Sequence, residues 1–286
     1  LTFLAVHAHP DDEASSTGGT FRLLKNQGVR TVLVTCTNGE YGDDLSGNKP
    51  DHDEHDPMSV AQHRRGELED ACAILGIDRL IMLGYHDSGM RGWAGNDNPD
   101  SFWATPVDTA AKRLAEILMQ ERPQVVMTYN EFGFYGHPDH IQANRVTLAA
   151  LELIDYEPTL YYNAIPDSVM ERFRQRWAEE ARQEAEEKLA RGEEPEENSG
   201  PPVDENGEPI RMGTPDDEIG AAIDISQVND AKFDALAAHH SQIGDSGWMK
   251  MGREEFRKTM TTEWFVRVKD PHARTGVVDD LFVDYR

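Results

Sequence analysis

The stretch Thr2-Phe3-Leu4-Ala5-Val6-His7-Ala8-His9-Pro10-Asp11-Asp12-Glu13 decides the fold. An apolar run breaks abruptly into an imidazole, a proline and three carboxylates, and a Ser/Thr/Gly segment follows it. Residues 2–8 read as a short buried strand, and Ser15 to Gln27 as a helix with Phe21, Leu23 and Leu24 apolar and Gly28 as its stop. Strand, tight loop and helix in that order put ionisable groups at the C-terminal tip of a strand. Open α/β sheets bind ligands there, because the sheet edge meets the positive end of the next helix dipole. A second stretch of the same kind, Tyr135-Gly136-His137-Pro138-Asp139-His140, lies far downstream.

Outward from these two stretches, strand and helix patterns alternate. Residues 31–35, 80–83 and 124–128 read as strands, and 59–75, 106–121 and the segment from Asp139 as helices. The fold class is therefore α/β, a Rossmann-like, mainly parallel sheet with helices on both faces. A fifth strand is expected at 159–164, a polar helix at 168–190, a strand at 221–225, a helix at 227–240 and a last strand at 262–268. The last elements suggest a smaller C-terminal α+β cap on the sheet edge. The expected organisation is 1–165, a Rossmann-like domain carrying both histidine stretches and so any catalytic metal site they form; 166–218, a polar helix and acidic insertion; and 219–286, a cap that would complete a substrate cleft. The loops at 38–57 and 84–105 leave from the same edge as His9, and loops of that length usually carry function.

A net charge of −25 argues against nucleic acid and against an anionic membrane surface, both of which need clustered Lys and Arg. Much of the excess is local: Ala178 to Glu218 holds fifteen Asp and Glu against four Lys and Arg, interleaved with Pro and Gly, as in a solvated insertion. No apolar run approaches the roughly 18–20 residues of a membrane span, and the chain opens inside a strand instead of a signal peptide. Cys36 and Cys72 sit in strand and helix contexts and read as buried free thiols. A cytoplasmic location is the expectation.

His9 and Asp12 lie three residues apart at one helix start, and His137 and His140 three apart at another, so each pair shares a face. Two histidines with a carboxylate suit zinc with one position left open, which implies catalysis; ferrous iron fits the same set. Asp11, beside a ligand, suits a general base. His137, if not a ligand, could stabilise an oxyanion as imidazolium, with Asp139 orienting its ring.

The two motifs together resemble the LmbE-like (PIG-L-like) family of zinc-dependent N-acetylglucosaminyl deacetylases. The resemblance continues through Thr37-Asn38-Gly39-Glu40, Arg64 with Glu67, Leu75-Gly76, Asp87-Ser88-Gly89-Met90, Pro215-Asp216-Asp217-Glu218-Ile219 and His240-Ser241-Gln242, to about Ile243. It is nearest the enzymes of mycothiol metabolism, a deacetylase acting on N-acetylglucosaminyl-inositol and a related conjugate amidase. It implies that His9, Asp12 and His140 bind zinc, Asp11 is the base, His137 held by Asp139 stabilises the oxyanion, and Tyr135 polarises the carbonyl. Arg64, Asp87 and Met90 would line the sugar pocket. Three residues after Glu13 the amidase carries lysine and the deacetylase serine; Ser16 favours the deacetylase. The expected partner is a small amino sugar, and a homo-oligomer is in keeping with the family. The rival readings are a thiol-conjugate amidase and a non-catalytic sugar-binding module on the same scaffold.

Other residues read more plainly. His7 is a core histidine, and Glu13 ties down the loop by bonding backbone amides. His52, His55, His63 and His86 fall in or near polar loops and are not expected to hold a second metal. One of His239 and His240 is expected to face the cleft, Arg65 competes with Arg64, and Trp248 and Trp264 read as packing residues. Thr17-Gly18-Gly19-Thr20 lacks the lysine and spacing of a phosphate cradle.

Overall fold

In the computed structural model, which describes residues 1–50, 52–191, 211–244 and 246–286, β1 (Thr2–His7) runs into α1 (Asp12–Asn26) and β2 (Arg30–Thr37). Then come α2 (Pro57–Leu75), β3 (Arg79–Tyr85), α3 (Val107–Glu121), β4 (Val125–Thr128), the single kinked turn α4 (Gly133–Gly136), α5 (Pro138–Leu151) and β5 (Thr159–Ala164). The chain continues through α6 (Asp167–Ala190), β6 (Ala221–Asp224), α7 (Asn229–Ala238), α8 (His240–Ile243), α9 (Gly247–Thr259) and β7 (Thr262–Lys269). Part of the acidic insertion, residues 192–210, lies outside the described residues.

One sheet takes the order β3-β2-β1-β4-β5-β7-β6, parallel from β3 to β5 and antiparallel at β7 and β6. Both of its faces are covered. Along β1, Phe3 and Ala5 enter one core with α1, α2 and α7, while Leu4 and Val6 enter the other with α3 and α5. This is why the strand reads as a continuous apolar run instead of an alternating one. The strand order reverses between β1 and β4, so the segments leaving their C-terminal ends flank one crevice. Those segments are the two histidine motifs.

The C-terminal part does more than cover an edge, because its two strands extend the sheet itself. It is also bonded into α1. Glu263 on β7 accepts from the amides of Gly19 (2.9 Å) and Thr20 (2.8 Å), and the buried Lys232 on α7 bridges Glu263 (2.6 Å) and the carbonyl of Ser15 (2.8 Å). Gly19 serves this packing: a Cβ there would stand 2.5 Å from Ile225 Cδ1.

Several strand and helix ends shift by one to three residues, and two helix boundaries matter for the site. Helix α1 begins at Asp12, three residues early, because Asp11 takes a left-handed φ of 111° and leaves Asp12 and Glu13 in the first turn, where the helix dipole favours carboxylates. The helix expected over 227–240 ends at Ala238 and breaks at His239 into α8. Helix α9, unforeseen in its polar and glycine-containing sequence, is started by Ser246 and kinked at Gly252.

Candidate metal centre and active site

Pro10 and the left-handed Asp11 turn the chain at the tip of β1, and His137 caps α5 at the end of the β4 segment. A non-glycine residue held at such a φ stores on the order of 1–3 kcal/mol, which the surroundings must over-determine. Here they do. The Asp11 amide donates to Glu13 Oε2 (3.0 Å), and the other oxygen of that buried carboxylate faces His239 Nε2 at 2.6 Å. From the opposite side the Arg64 guanidinium reaches Asp11 Oδ2 (3.0 Å), the carbonyl of Gly39 (2.6 Å) and the carbonyl of Pro10. Gly39 has a φ of 69°, and a Cβ there would meet the guanidinium at 2.5 Å.

The carboxylate of Asp12 stands between two imidazoles, with Oδ2 3.4 Å from His9 Nδ1 and Oδ1 3.4 Å from His140 Nε2. The His9 amide also donates to Oδ2 at 2.8 Å. His140 is buried, and neither of its ring nitrogens has a hydrogen-bond partner. Tyr129 stacks on its ring at 4.1 Å between centroids and fixes its plane. One ligand atom each from His9, His137 and His140 falls within a 4.8 Å cluster. Buried imidazole nitrogens without partners are costly, and Asp12, Asp87 and Asp139 crowd them with negative charge. The donor set fits a divalent metal: three imidazoles converge, both nitrogens of His140 are unsatisfied, and a second cluster of His9, Asp87, His137 and Asp139 adds carboxylates.

Asp11 lies at the lip. Burial pushes its carboxyl up, Arg64 pulls it down and Asp12 pushes it up again, leaving it at about 6. Burial alone would raise Asp12 as well, but His140 and His9 hold it well below the usual carboxylate range. Burial raises the Tyr135 hydroxyl, which stays protonated.

His137 and Asp139 differ from expectation. His137 Nδ1 accepts from the Asp139 amide (3.2 Å), the normal bond of a helix cap. Burial, His9 and His140 push its pKa well below the ordinary imidazole value, which disfavours the imidazolium, and with Nδ1 accepting, the proton of a neutral ring sits on Nε2. The Asp139 carboxylate makes its hydrogen bonds not with that ring but with His9 Nε2 (3.2 Å) and with the amide (2.9 Å) and hydroxyl of Ser88. Asp139 thus holds His137 through its backbone and His9 through its side chain.

The cleft over the cluster, about 180 Å³, is lined by Asp11, Arg64, Asp87, Met90 and Tyr135, with Tyr41 and Trp93 beside them. Arg64 is buried and Arg65 points outward to Glu69, which resolves their competition. Ser16 is not in this cleft. It lies across Asp12 and Tyr135 in a second cavity of about 170 Å³, whose walls include Phe134, Phe173, Trp248 and Trp264. His7 is a core histidine bonded to Tyr129 (3.1 Å) and Thr17 (2.9 Å), and Cys36 and Cys72 are buried and free. His239 is the inward member of its pair, through Glu13. Tyr41, Trp93 and Tyr129 belong to no motif, and an aromatic in a loop has no local mark in the sequence of facing a cleft.

The fold and site together define a Rossmann-like α/β protein with a buried His/Asp cluster, able to hold a metal ion, at the switch point of its sheet. The family described as PIG-L, GlcNAc-PI de-N-acetylase, matches residues 4–151. A relative from Salinispora arenicola is 38% identical over 292 residues, covering 98% of this chain and 90% of its own; one from Thermobifida fusca is 37% identical over 279 residues, covering 96% and 94%. Both are named 1D-myo-inositol 2-acetamido-2-deoxy-alpha-D-glucopyranoside deacetylase. The chain belongs to the PIG-L family and is a hydrolytic deacetylase. Among solved structures, N,N'-diacetylchitobiose deacetylase from Pyrococcus horikoshii superposes with a TM-score of 0.57 at 20% identity, over 93% of this chain and 83% of that one. A 4-carboxy-2-hydroxymuconate hydratase from Pseudomonas putida also reaches 0.57 at 18% identity, over 96% and 98%. The shared architecture shows the fold; chemistry must be argued from the site.

Among the described residues no helix is long and apolar enough to cross a membrane.

Proposed function

We propose that this chain hydrolyses the acetamide of an N-acetylglucosaminyl-inositol, releasing acetate and the free amine, with His9, Asp12 and His140 holding zinc and ferrous iron as the alternative occupant. The observation that carries the reading is His140, buried with both nitrogens unpartnered beside a carboxylate it shares with His9. When bound there, the metal supplies Lewis acidity toward the carbonyl oxygen and lowers the pKa of water to near neutral.

The protein's own groups divide the remaining work. Asp11, held from two sides at the lip of the cleft, takes the proton of the attacking water and is the group positioned to return it to the departing amine. The Nε2 proton of neutral His137 and the hydroxyl of Tyr135 donate to the oxyanion as it forms. Asp87 and Met90 line the sugar side, with Tyr41 and Trp93 offering rings for a sugar face. Residues 1–165 supply every reacting group in this scheme, and residues 219–286 brace them through Lys232, His239 and Glu263. The buried free cysteines suit a reducing compartment, and we place the reaction in the cytoplasm.

The second cavity favours one rival, an amidase for larger acyl groups, because it adjoins the reacting centre through Asp12 and Tyr135 and has aromatic walls. A non-catalytic sugar-binding module gains no such support. The test is elemental analysis of protein purified without chelator, paired with amine release from N-acetylglucosaminyl-inositol and from a thiol conjugate of the corresponding amide. At least one zinc or iron per chain, turnover lost on stripping and restored on reloading, and preference for the acetylated sugar are expected. Preference for the conjugate overturns the substrate, and turnover that survives stripping overturns the metal assignment.

A further inference from the structure

Outside the cleft, His63 and Glu67 stand one turn apart on α2 and face His240, the first residue of α8 and 177 positions away in the chain. The two Nε2 atoms are 3.4 Å apart, His63 Nε2 lies 3.4 Å from Glu67 Oε1, and the His240 ring approaches the same oxygen at 2.9 Å through Nδ1. All three residues contribute a ligand atom to one 4.8 Å cluster. We propose that His63, Glu67 and His240 form a second metal site, separate from the catalytic centre, for a zinc-type divalent ion.

Several observations converge on this. Tetrahedral bonds of about 2.0–2.2 Å to nitrogen and oxygen require ligand atoms about 3.3–3.6 Å apart, the spacing found between the two imidazoles and from His63 to the carboxylate. Glu67 is buried and pre-oriented: Ser241 donates its amide (2.8 Å) and its hydroxyl (2.7 Å) to the two carboxylate oxygens, the outer-sphere support that metal ligands characteristically have. The adjoining hollow, about 250 Å³, presents Asp43, Asp44, Glu54 and Asp56 against Arg64, with Lys49 paired to Asp43, so its lining stays net acidic. Two imidazoles among three ligands select zinc, cobalt or nickel over magnesium or calcium. The arrangement is not needed for packing, since His240 is 61% exposed. Its position has a consequence as well. His63 adjoins Arg64 and His240 adjoins His239, the two residues that brace Asp11 from opposite sides, so a bound ion clamps α2 to α8 beside that brace.

This inference holds whether or not the substrate proposed above is right. The full-length protein, with its catalytic centre loaded, is titrated with zinc by calorimetry and with cobalt by visible absorption. A second equivalent with tetrahedral cobalt bands is expected, unaffected by millimolar magnesium. His240→Ala and His63→Gln each weaken it by at least about tenfold and leave the first equivalent in place, whereas His9→Ala removes the first and spares the second. Both second-site variants replace partly exposed side chains, and circular dichroism verifies their folding. A stoichiometry of one in the wild-type protein overturns the proposal, as does a second equivalent that survives both variants, which identifies an adventitious ion only.

Discussion

Replacing Arg64 with methionine tests whether this residue positions the base or contacts the sugar. The side chain is only 5% exposed and its guanidinium joins three groups: the Gly39 carbonyl at 2.6 Å, the Asp11 carboxylate at 3.0 Å and the Pro10 carbonyl. Methionine keeps much of the buried stem and removes all three donors, leaving a carboxylate and two carbonyls unpaired. Breaking a buried ion pair from one side costs about 3–5 kcal/mol, out of a total stability of about 5–15 kcal/mol. At about 2–4 °C per kcal/mol the melting temperature falls by roughly 6–20 °C. Lysine keeps the charge but cannot fork to three acceptors, and it should lose about 1.5–3 kcal/mol. Urea unfolding measures the stability, and steady-state kinetics on the acetylated sugar measures the function. If Arg64 acts through Asp11, kcat falls while KM holds; if it lines the sugar pocket, KM rises first. A methionine variant within about 1 kcal/mol of wild type, with kcat unchanged, refutes the reasoning.

Asp11→Asn keeps a residue that tolerates the left-handed conformation, so the fold persists while kcat drops by about 10²–10⁴; a loss under tenfold removes Asp11 from the role of base. Gly19→Ala drives a Cβ to 2.5 Å from the buried Ile225 and should destabilise by about 1–3 kcal/mol in urea; an unchanged midpoint would show that α1 shifts freely away from Ile225. At Asp78 burial raises the carboxyl, but Lys25 and Thr31 prevail and its pKa is lowered. A folded value below the unfolded one gives stability that is present above the unfolded value, near pH 4, and lost as pH falls through the folded one. The stability gap between wild type and Asp78→Ala is therefore full at pH 7 and closes in acid; a gap that widens in acid contradicts the assignment.

Residues 2–13 and 135–140 carry their meaning locally. A buried strand must be continuously apolar, a helix start must satisfy its free amides, and ionisable groups crowded at such a tip have few structural uses. Those constraints act within a few positions, so the parallel α/β architecture, the convergence of His9, Asp12 and His140, the core role of His7 and the loop-tying role of Glu13 were all legible in the chain. Tertiary structure decided what depends on distant partners. It turned Arg64 inward and Arg65 outward through an acceptor 53 positions away, and chose His239 over His240 through Glu13, 226 positions away. It took the Asp139 carboxylate to Ser88 and His9 instead of His137, separated Ser16 from the sugar cleft, and brought His63 against His240. Neighbouring residues differ in such roles only by the phase of a helix against whatever packs on it. That phase is set by the summed burial of whole faces, a quantity no short window of sequence contains.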